Sequence, residues 1–328
     1  MSKNTKSSNI GGQAVMEGIM MRHQNQYSVA VRKPNGEIVT KIEPCKSWSQ
    51  GKKIWRLPIF RGMYSFVESL VVGMQCLTYS ASFFDEEEDA PKQGNKEQNS
   101  KTEFTAKEES KKEKQEKLLM YGTVAISIVF SIALFIVLPY FIASILRMIT
   151  ESEAIISIAE ACVRLLIFFT YIVLISKMED IQRVFMYHGA EHKCINCIEH
   201  GMELNVENVM KSSKEHKRCG TSFLLFVMFV SVIFFLFIRV SSPWLRVLVR
   251  ILLMPVIAGV SYELIRLAGN SDNPVISLLS KPGLALQRLT TREPDADMVE
   301  VAICAVEAVF DWRAYLAENT SDEAEETL

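Results

Sequence analysis

The sequence predicts a mainly α-helical, polytopic membrane protein. It should have about four transmembrane helices, a re-entrant or interfacial helix, and a small cytosolic α+β part containing a β-hairpin. Three observations carry this. Apolar residues make up 49% of the 328 positions and are gathered into long runs, the distribution expected of a chain solvated by lipid. Positions 1–56 lack such runs and alternate apolar with polar residues around a turn signal. A polar stretch, 177–220, expected to be a cytosolic loop, separates two pairs of apolar runs. The net charge of -2 gives no electrostatic basis for a nucleic-acid partner.

In chain order, "YSVAVRKPNGEIVTKIEP" predicts a hairpin within a cytosolic region 1–56, because Pro34 presets a turn and Asn35-Gly36 supplies the positive-φ position. "GGQAVMEGIMMR" is Gly-rich without phosphate-loop spacing and is expected to be irregular. The segment 57–84 places Phe60, Met63, Phe66, Val67, Leu70, Val71 and Met74 at helical spacing. Its uncharged part, Ser69 to Phe84, is short for a full span, so an interfacial or re-entrant helix is expected, with a buried core helix as the alternative. More than half of the positions in 85–117 are charged, so this segment is expected to be a disordered linker.

The transmembrane region is expected over 118–268. It opens with an uncharged run from Leu118 to Leu146, long enough to span with tilt, with a kink signal at Pro139. The second run, roughly 154–176, carries Glu160 and Arg164 four apart on one helical face. That spacing allows them to pair as structural glue, with an ion path as the alternative. Two further runs follow Gly220 and Pro243. Lysines before the first run and in the polar stretch put both on one side, so the positive-inside rule predicts a multi-pass cell-membrane protein with both termini cytosolic. The first residues show no signal-peptide pattern, and an odd count of seven cysteines suits reduced thiols better than disulfides. The C-terminal region, 269–328, reads as a loop and then an amphipathic helix from about Met298 to Leu316. Asp295 or Asp297 is its expected N-cap, and Val299, Ile303, Val306 and Phe310 form its apolar stripe.

"MYHGAEHKCINCIEH" (186–200) holds three of the five histidines and two of the seven cysteines. His188 and His192 are four apart and on a helix share a face, so they can hold one metal. Glu191 beside them is the candidate general base, the arrangement of the inverted zinc-peptidase signature. "HKRCG" adds His216 and Cys219, and "SYELIR" adds Glu263, for which an ion pair with Arg266 is the alternative. The topology brings these three segments to the cytosolic ends of neighbouring helices. Cys194 and Cys197 form a C-x-x-C that could extend the site or make a redox pair; a lone C-x-x-C is weak and is treated as peripheral. The mixed N, S and O ligands suit zinc first, then iron and manganese.

"GGQAVMEGIMMR", "YHGAEHK", "HKRCGTSFLL", "SYELIRLAG" and "LTTREPD", in that order, resemble the bacterial YqhQ-type membrane family, which is described as predicted metal-dependent enzymes. The resemblance implies metal dependence and a membrane location. It implies site roles for His188, Glu191, His192, His216, Cys219 and Glu263, and makes Glu17, Arg22 and Thr290 to Glu293 site-lining candidates. The function expected is a cytosol-facing metal-dependent hydrolase acting on a membrane-associated substrate. A metal-stabilised scaffold or regulator of a membrane partner is the alternative, and an oligomeric transporter using Glu160, Arg164 and Glu263 a third reading.

Overall fold

A computed structural model describes residues 7–45, 57–88, 119, 121–216, 219–238, 240, 242–269 and 274–325. The chain divides into two compact units. The first comprises Met1–Glu88, Tyr171–Phe234 and Leu253–Leu328; the second comprises Asp89–Thr170 and Phe235–Leu252.

The first unit begins with a four-stranded antiparallel meander: β1 (Gly11–Val15), β2 (Gly18–His23), β3 (Gln26–Arg32) and β4 (Ile38–Pro44), paired in sequence order. The β3–β4 turn lies where Pro34-Asn35-Gly36 predicts it, closed by Arg32 opposite Ile38, with Gly36 at φ 86°. The segment "GGQAVMEGIMMR", expected to be irregular, is instead the β1–β2 hairpin. Its glycines serve close packing inside strands: a Cβ on Gly12 would lie 2.7 Å from the Met20 carbonyl oxygen and 2.9 Å from Glu191 Cγ.

Alternation along β2 and β3 buries both faces of the sheet. Ile19, Met21 and Ala30 face α4 (Glu179–Glu199) and α9 (Ala296–Glu307); Met20, Val29 and Val31 face Val72 and Cys76 of α1 (Pro58–Glu88). Each fully buried aliphatic side chain contributes about 1.5–3 kcal/mol, so helix, sheet and helix layers hold one another. The helix α1 is continuous through the expected interfacial segment and exposes Val67, Leu70, Val71, Met74 and Leu77. It also reaches one of the apolar helices. A Cβ on Gly62 would sit 2.5 Å from the Gly259 carbonyl oxygen, and Arg61 donates to both oxygens of Glu263 (3.1 and 2.6 Å).

Among the described residues, four helices are long and apolar enough to cross a membrane: α2 (Tyr121–Met148), α3 (Glu153–Ile175), α6 (Gly220–Phe237) and α7 (Pro243–Gly269, apolar through Leu267). In α2 the signal at Pro139 is met by a π-helical turn, Ala133–Val137, directly before it. Proline lacks an N–H and crowds the carbonyl four residues back. That carbonyl, Phe135's, accepts instead from Arg164 Nε at 3.1 Å. Glu160 and Arg164 do pair, at 2.7 Å, and Arg250 joins them.

Three expectations change. The polar stretch 177–220 is largely helical, with α4 followed by a short α5 (Val206–Lys211). The expected loop after residue 269 contains α8 (Pro274–Thr290), which accommodates Pro282 and buries Leu286 and Gln287. The C-terminal helix is two: α9 ends at Glu307 and α10 (Trp312–Glu325) restarts, capped by Asp311 accepting from the Ala314 N–H at 3.0 Å. Asp295 holds the N-cap position of α9 without a side-chain bond, and the Val299 and Val306 stripe packs on the sheet. Of the charged segment 85–117, expected to be a disordered linker, residues 85–88 continue α1 and residues 89–117 lie outside the described residues.

Candidate metal centre

The helix α4 opens with Glu179 and Asp180 in its first turn, which suits the positive end of the helix dipole. It buries every residue from Gly189 to Ile198. His188 and His192 therefore project from one face, with ring centroids 4.4 Å apart. Each ring is oriented by a backbone carbonyl. His188 Nδ1 lies 3.0 Å from the Thr290 oxygen, and His192 Nδ1 lies 2.6 Å from the Lys214 oxygen. A carbonyl only accepts, so both Nδ1 atoms carry the hydrogen. Each Nε2 is left as the lone-pair nitrogen, the arrangement typical of metal-ligating histidines.

Cys219 supplies the third atom. Its Sγ lies 3.2 Å from His188 Nε2, and the Thr221 N–H at the start of α6 donates to it at 3.3 Å. Ligand atoms of His188, His192 and Cys219 all fall within 4.8 Å of one another. Tetrahedral zinc, with Zn–N of about 2.0 Å and Zn–S of about 2.3 Å, separates N from S by roughly 3.5 Å. The two imidazoles and the sulfur therefore fit a divalent ion in spacing and in donor type.

Glu191 is buried beside them, with Oε2 4.0 Å from His188 Nε2. Burial pushes its carboxyl above the ordinary carboxylate range, opposed by His188 and by the Gly12 N–H that donates to it. The β1 strand thus closes over the acid. Gly189 allows a second close approach: a Cβ there would collide with the Arg292 carbonyl oxygen. That contact, with the Arg292 N–H donating to the Phe185 oxygen at 2.9 Å, holds the segment after α8 against α4 and sets the Thr290 carbonyl on His188.

His216 stands just outside the three-atom group. Its ring centroid is 5.7 Å from that of His192, and its Nε2 is 3.4 Å from Glu199 Oε2. Gln287, fully buried on α8, accepts from the His216 N–H (3.0 Å) and donates to the His216 oxygen (2.7 Å) and Ser222 Oγ (3.0 Å). It thereby brackets Cys219. Glu263 is not brought into the group: Arg61 holds its carboxylate and Arg266 lies 3.9 Å away. Its neighbour in sequence made an ion pair foreseeable, but the principal partner comes from α1. Cys194 and Cys197 are core residues, and burial pushes the Cys197 thiol up to about 11 and the Cys194 thiol well above its ordinary value. Glu17 pairs with Arg183 and Arg22 with Glu68 (2.8 Å), tying the first hairpin to α4 and α1. Glu293 bridges Lys193 (2.9 Å) and Lys214 (3.3 Å).

Sequence reasoning missed Gln287, Gly12 and Thr221, and the Thr290 and Lys214 carbonyls. Backbone acceptors carry no side-chain signal. The paired glycines at Gly11-Gly12 were the one available hint of a close approach.

Together these features describe a mainly helical chain that has, among the described residues, four helices apolar enough for a bilayer, a small antiparallel sheet, and a His-His-Cys group built from α4 and the residue that precedes α6. The family described as "Protein of unknown function (DUF1385)" matches residues 57–312. The chain is also 36% identical over 310 residues to "Uncharacterized protein YqhQ" of Bacillus subtilis (strain 168), covering 92% of each chain. It belongs to this YqhQ-type family. No solved structure matches it.

Proposed function

We propose that this protein is a membrane-embedded, cytosol-facing metal-dependent hydrolase acting on a membrane-associated substrate. One observation carries the reading: two histidines whose Nδ1 atoms are held by backbone carbonyls bring ligand atoms within 4.8 Å of each other and of a cysteine sulfur, His188 Nε2 at 3.2 Å from it, with a buried glutamate alongside. A divalent ion held by these three residues alone would keep a coordination position open for water, which supports a catalytic over a closed structural site. Zinc suits the donor set best, with iron and manganese as alternatives. Such an ion, when bound, supplies Lewis acidity that makes water acidic enough to lose a proton near neutral pH. Glu191 accepts that proton on its carboxylate, held in position by the Gly12 N–H. The Thr290 and Lys214 carbonyls keep both rings in one tautomer. The sheet covering Glu191 limits bulk water.

Basic flanks of the apolar runs support a cell-membrane location with both termini in the cytosol. The substrate classes at that face are lipid headgroups, membrane peptides and isoprenoid-linked precursors. A metal-stabilised scaffold is the second reading, favoured by His216, which could close the site as a fourth ligand.

The test is elemental analysis of the purified full-length chain, with hydrolysis of vesicle-borne ester, amide and phosphoanhydride probes. About one ion per chain is expected, retained in Glu191→Gln and lost in His188→Ala, His192→Ala and Cys219→Ser. Hydrolysis should fall on the order of 100-fold or more in Glu191→Gln. If Glu191→Gln loses the ion as well, Glu191 is a ligand and not the base. Metal-bearing wild-type protein that hydrolyses none of the probes supports the scaffold, and metal-free wild-type protein overturns both readings.

A further inference from the structure

Inside the second unit, the Glu160 carboxylate receives three charge-assisted hydrogen bonds. They come from Arg164 Nη2 (2.7 Å), Arg250 Nη1 (2.5 Å) and Arg250 Nη2 (2.8 Å). All three side chains are at most 5% exposed. A guanidinium does not lose its proton in a protein, so two buried cations converge on one carboxylate. Phe235 takes both guanidinium carbons over its ring at 4.8 Å, and Tyr140 takes Arg250 at 5.5 Å. These faces soften the charge without neutralising it.

The positive charge continues outward. Arg246 donates to the Val240 carbonyl oxygen (2.9 and 2.7 Å) and reaches Glu153 only at 3.7 Å. Glu153 is already held by both arms of Arg147 (2.6 and 3.1 Å). Among the described residues, these four arginines gather around two carboxylates. A cavity of about 50 Å³ opens beside Arg246, Arg250, Glu153 and Ser157, with Phe235 and Ile238 as its apolar wall.

Depth sharpens the imbalance. At 1.5 Å per residue, Arg246 lies about 5 Å, Arg250 about 10 Å and Arg164 about 16 Å from the ends of their helices, against a hydrocarbon core of roughly 30 Å. Excess charge at that level is costly, and basic pockets among spanning helices are where anionic headgroups settle.

We infer that Arg246 and Arg250, at the end of the spans where α2 leads into α3 and α6 into α7, form a binding site for a phosphate-type oxyanion. Arg246 Nη1 and Arg250 Nε take no part in the bonds described above and are charged N–H donors suited to such an oxyanion, and Ser157 adds a hydroxyl donor at the cavity. The membrane's own phosphodiester headgroups and free phosphate share this chemistry.

The experiment is thermal unfolding of the purified, delipidated full-length chain in a non-ionic detergent. It is titrated separately with inorganic phosphate, a short-chain phosphatidylglycerol and an uncharged diacylglycerol. A saturable rise in Tm is expected with the phosphate-bearing additives and none with diacylglycerol. Half-saturation by phosphatidylglycerol at the lower concentration assigns a lipid headgroup; equal or tighter response to inorganic phosphate assigns the free ion. Arg246→Gln should raise the half-saturating concentration five- to tenfold, whereas Lys211→Gln, an exposed change elsewhere, should not. Should Arg246→Gln fail to fold, native mass spectrometry of the wild-type chain replaces it, with retained phosphatidylglycerol expected over phosphatidylcholine. No saturable rise with either phosphate compound, the same half-saturation in Arg246→Gln, or no retained anionic lipid overturns the site.

Discussion

Residue by residue, the candidate centre depends on groups that hold its ligands more than on further ligands. Gln287 is the clearest case, since its amide satisfies the backbone on both sides of His216 and the Ser222 hydroxyl. Replacing it with leucine keeps the volume and strands a buried N–H and a buried carbonyl, at about 1–3 kcal/mol for such groups. Gln287→Leu should therefore lower Tm and, by loosening the Cys219 segment, weaken metal retention by about 10–100-fold, the usual loss when an orienting partner is removed. Competition with a chelator measures it. Unchanged retention with a lowered Tm would make Gln287 a packing residue only. Gly189 and Gly12 act by absence: each leaves room for a backbone that a Cβ would block.

Between elements, α1 is the connection from the sheet to an apolar helix. Its Gly62 meets Gly259 of α7 backbone to backbone, with Arg61 and Glu263 paired one turn away. Alanine in an exposed helix interior would stabilise by about 0.5–1 kcal/mol relative to glycine. Here the added Cβ has nowhere to go, and overpacking of this kind costs about 1–3 kcal/mol. Gly62→Ala should thus lower the Tm of the purified chain; a raised Tm would show that the two helices are not in contact. The sign alone decides. Pro139 makes the complementary point, because the Phe135 carbonyl four residues before it in α2 accepts from Arg164 in α3.

Across the molecule as a whole, the apolar runs, the β3–β4 hairpin, the Glu160–Arg164 pair and the apolar stripe of Val299 and Val306 were legible, because each rests on a periodicity or turn chemistry that is local in sequence. His188, His192 and Cys219 were legible as ligand types, and the structure brings those three together. Glu263 was misplaced because its partner, Arg61, lies 202 positions away, and no local spacing reports such a pairing. The first hairpin and α8 were hidden for a related reason. Gly12 and Gly18, and Pro282 with Gly283, read as breakers locally, whereas Gly12 packs closely on Glu191 of α4, Gly18 on Ala30 and Val31, and Gly283 on Ser222. The proposed chemistry stands or falls on whether His188, His192 and Cys219 hold one divalent ion with a position left open. X-ray absorption at the metal edge of the purified full-length chain decides this. For zinc, the spectrum should show two imidazole nitrogens at about 2.0 Å, one sulfur at about 2.3 Å and one further light atom. A shell without sulfur, a shell with more than one sulfur, or protein that carries no metal would refute the assignment.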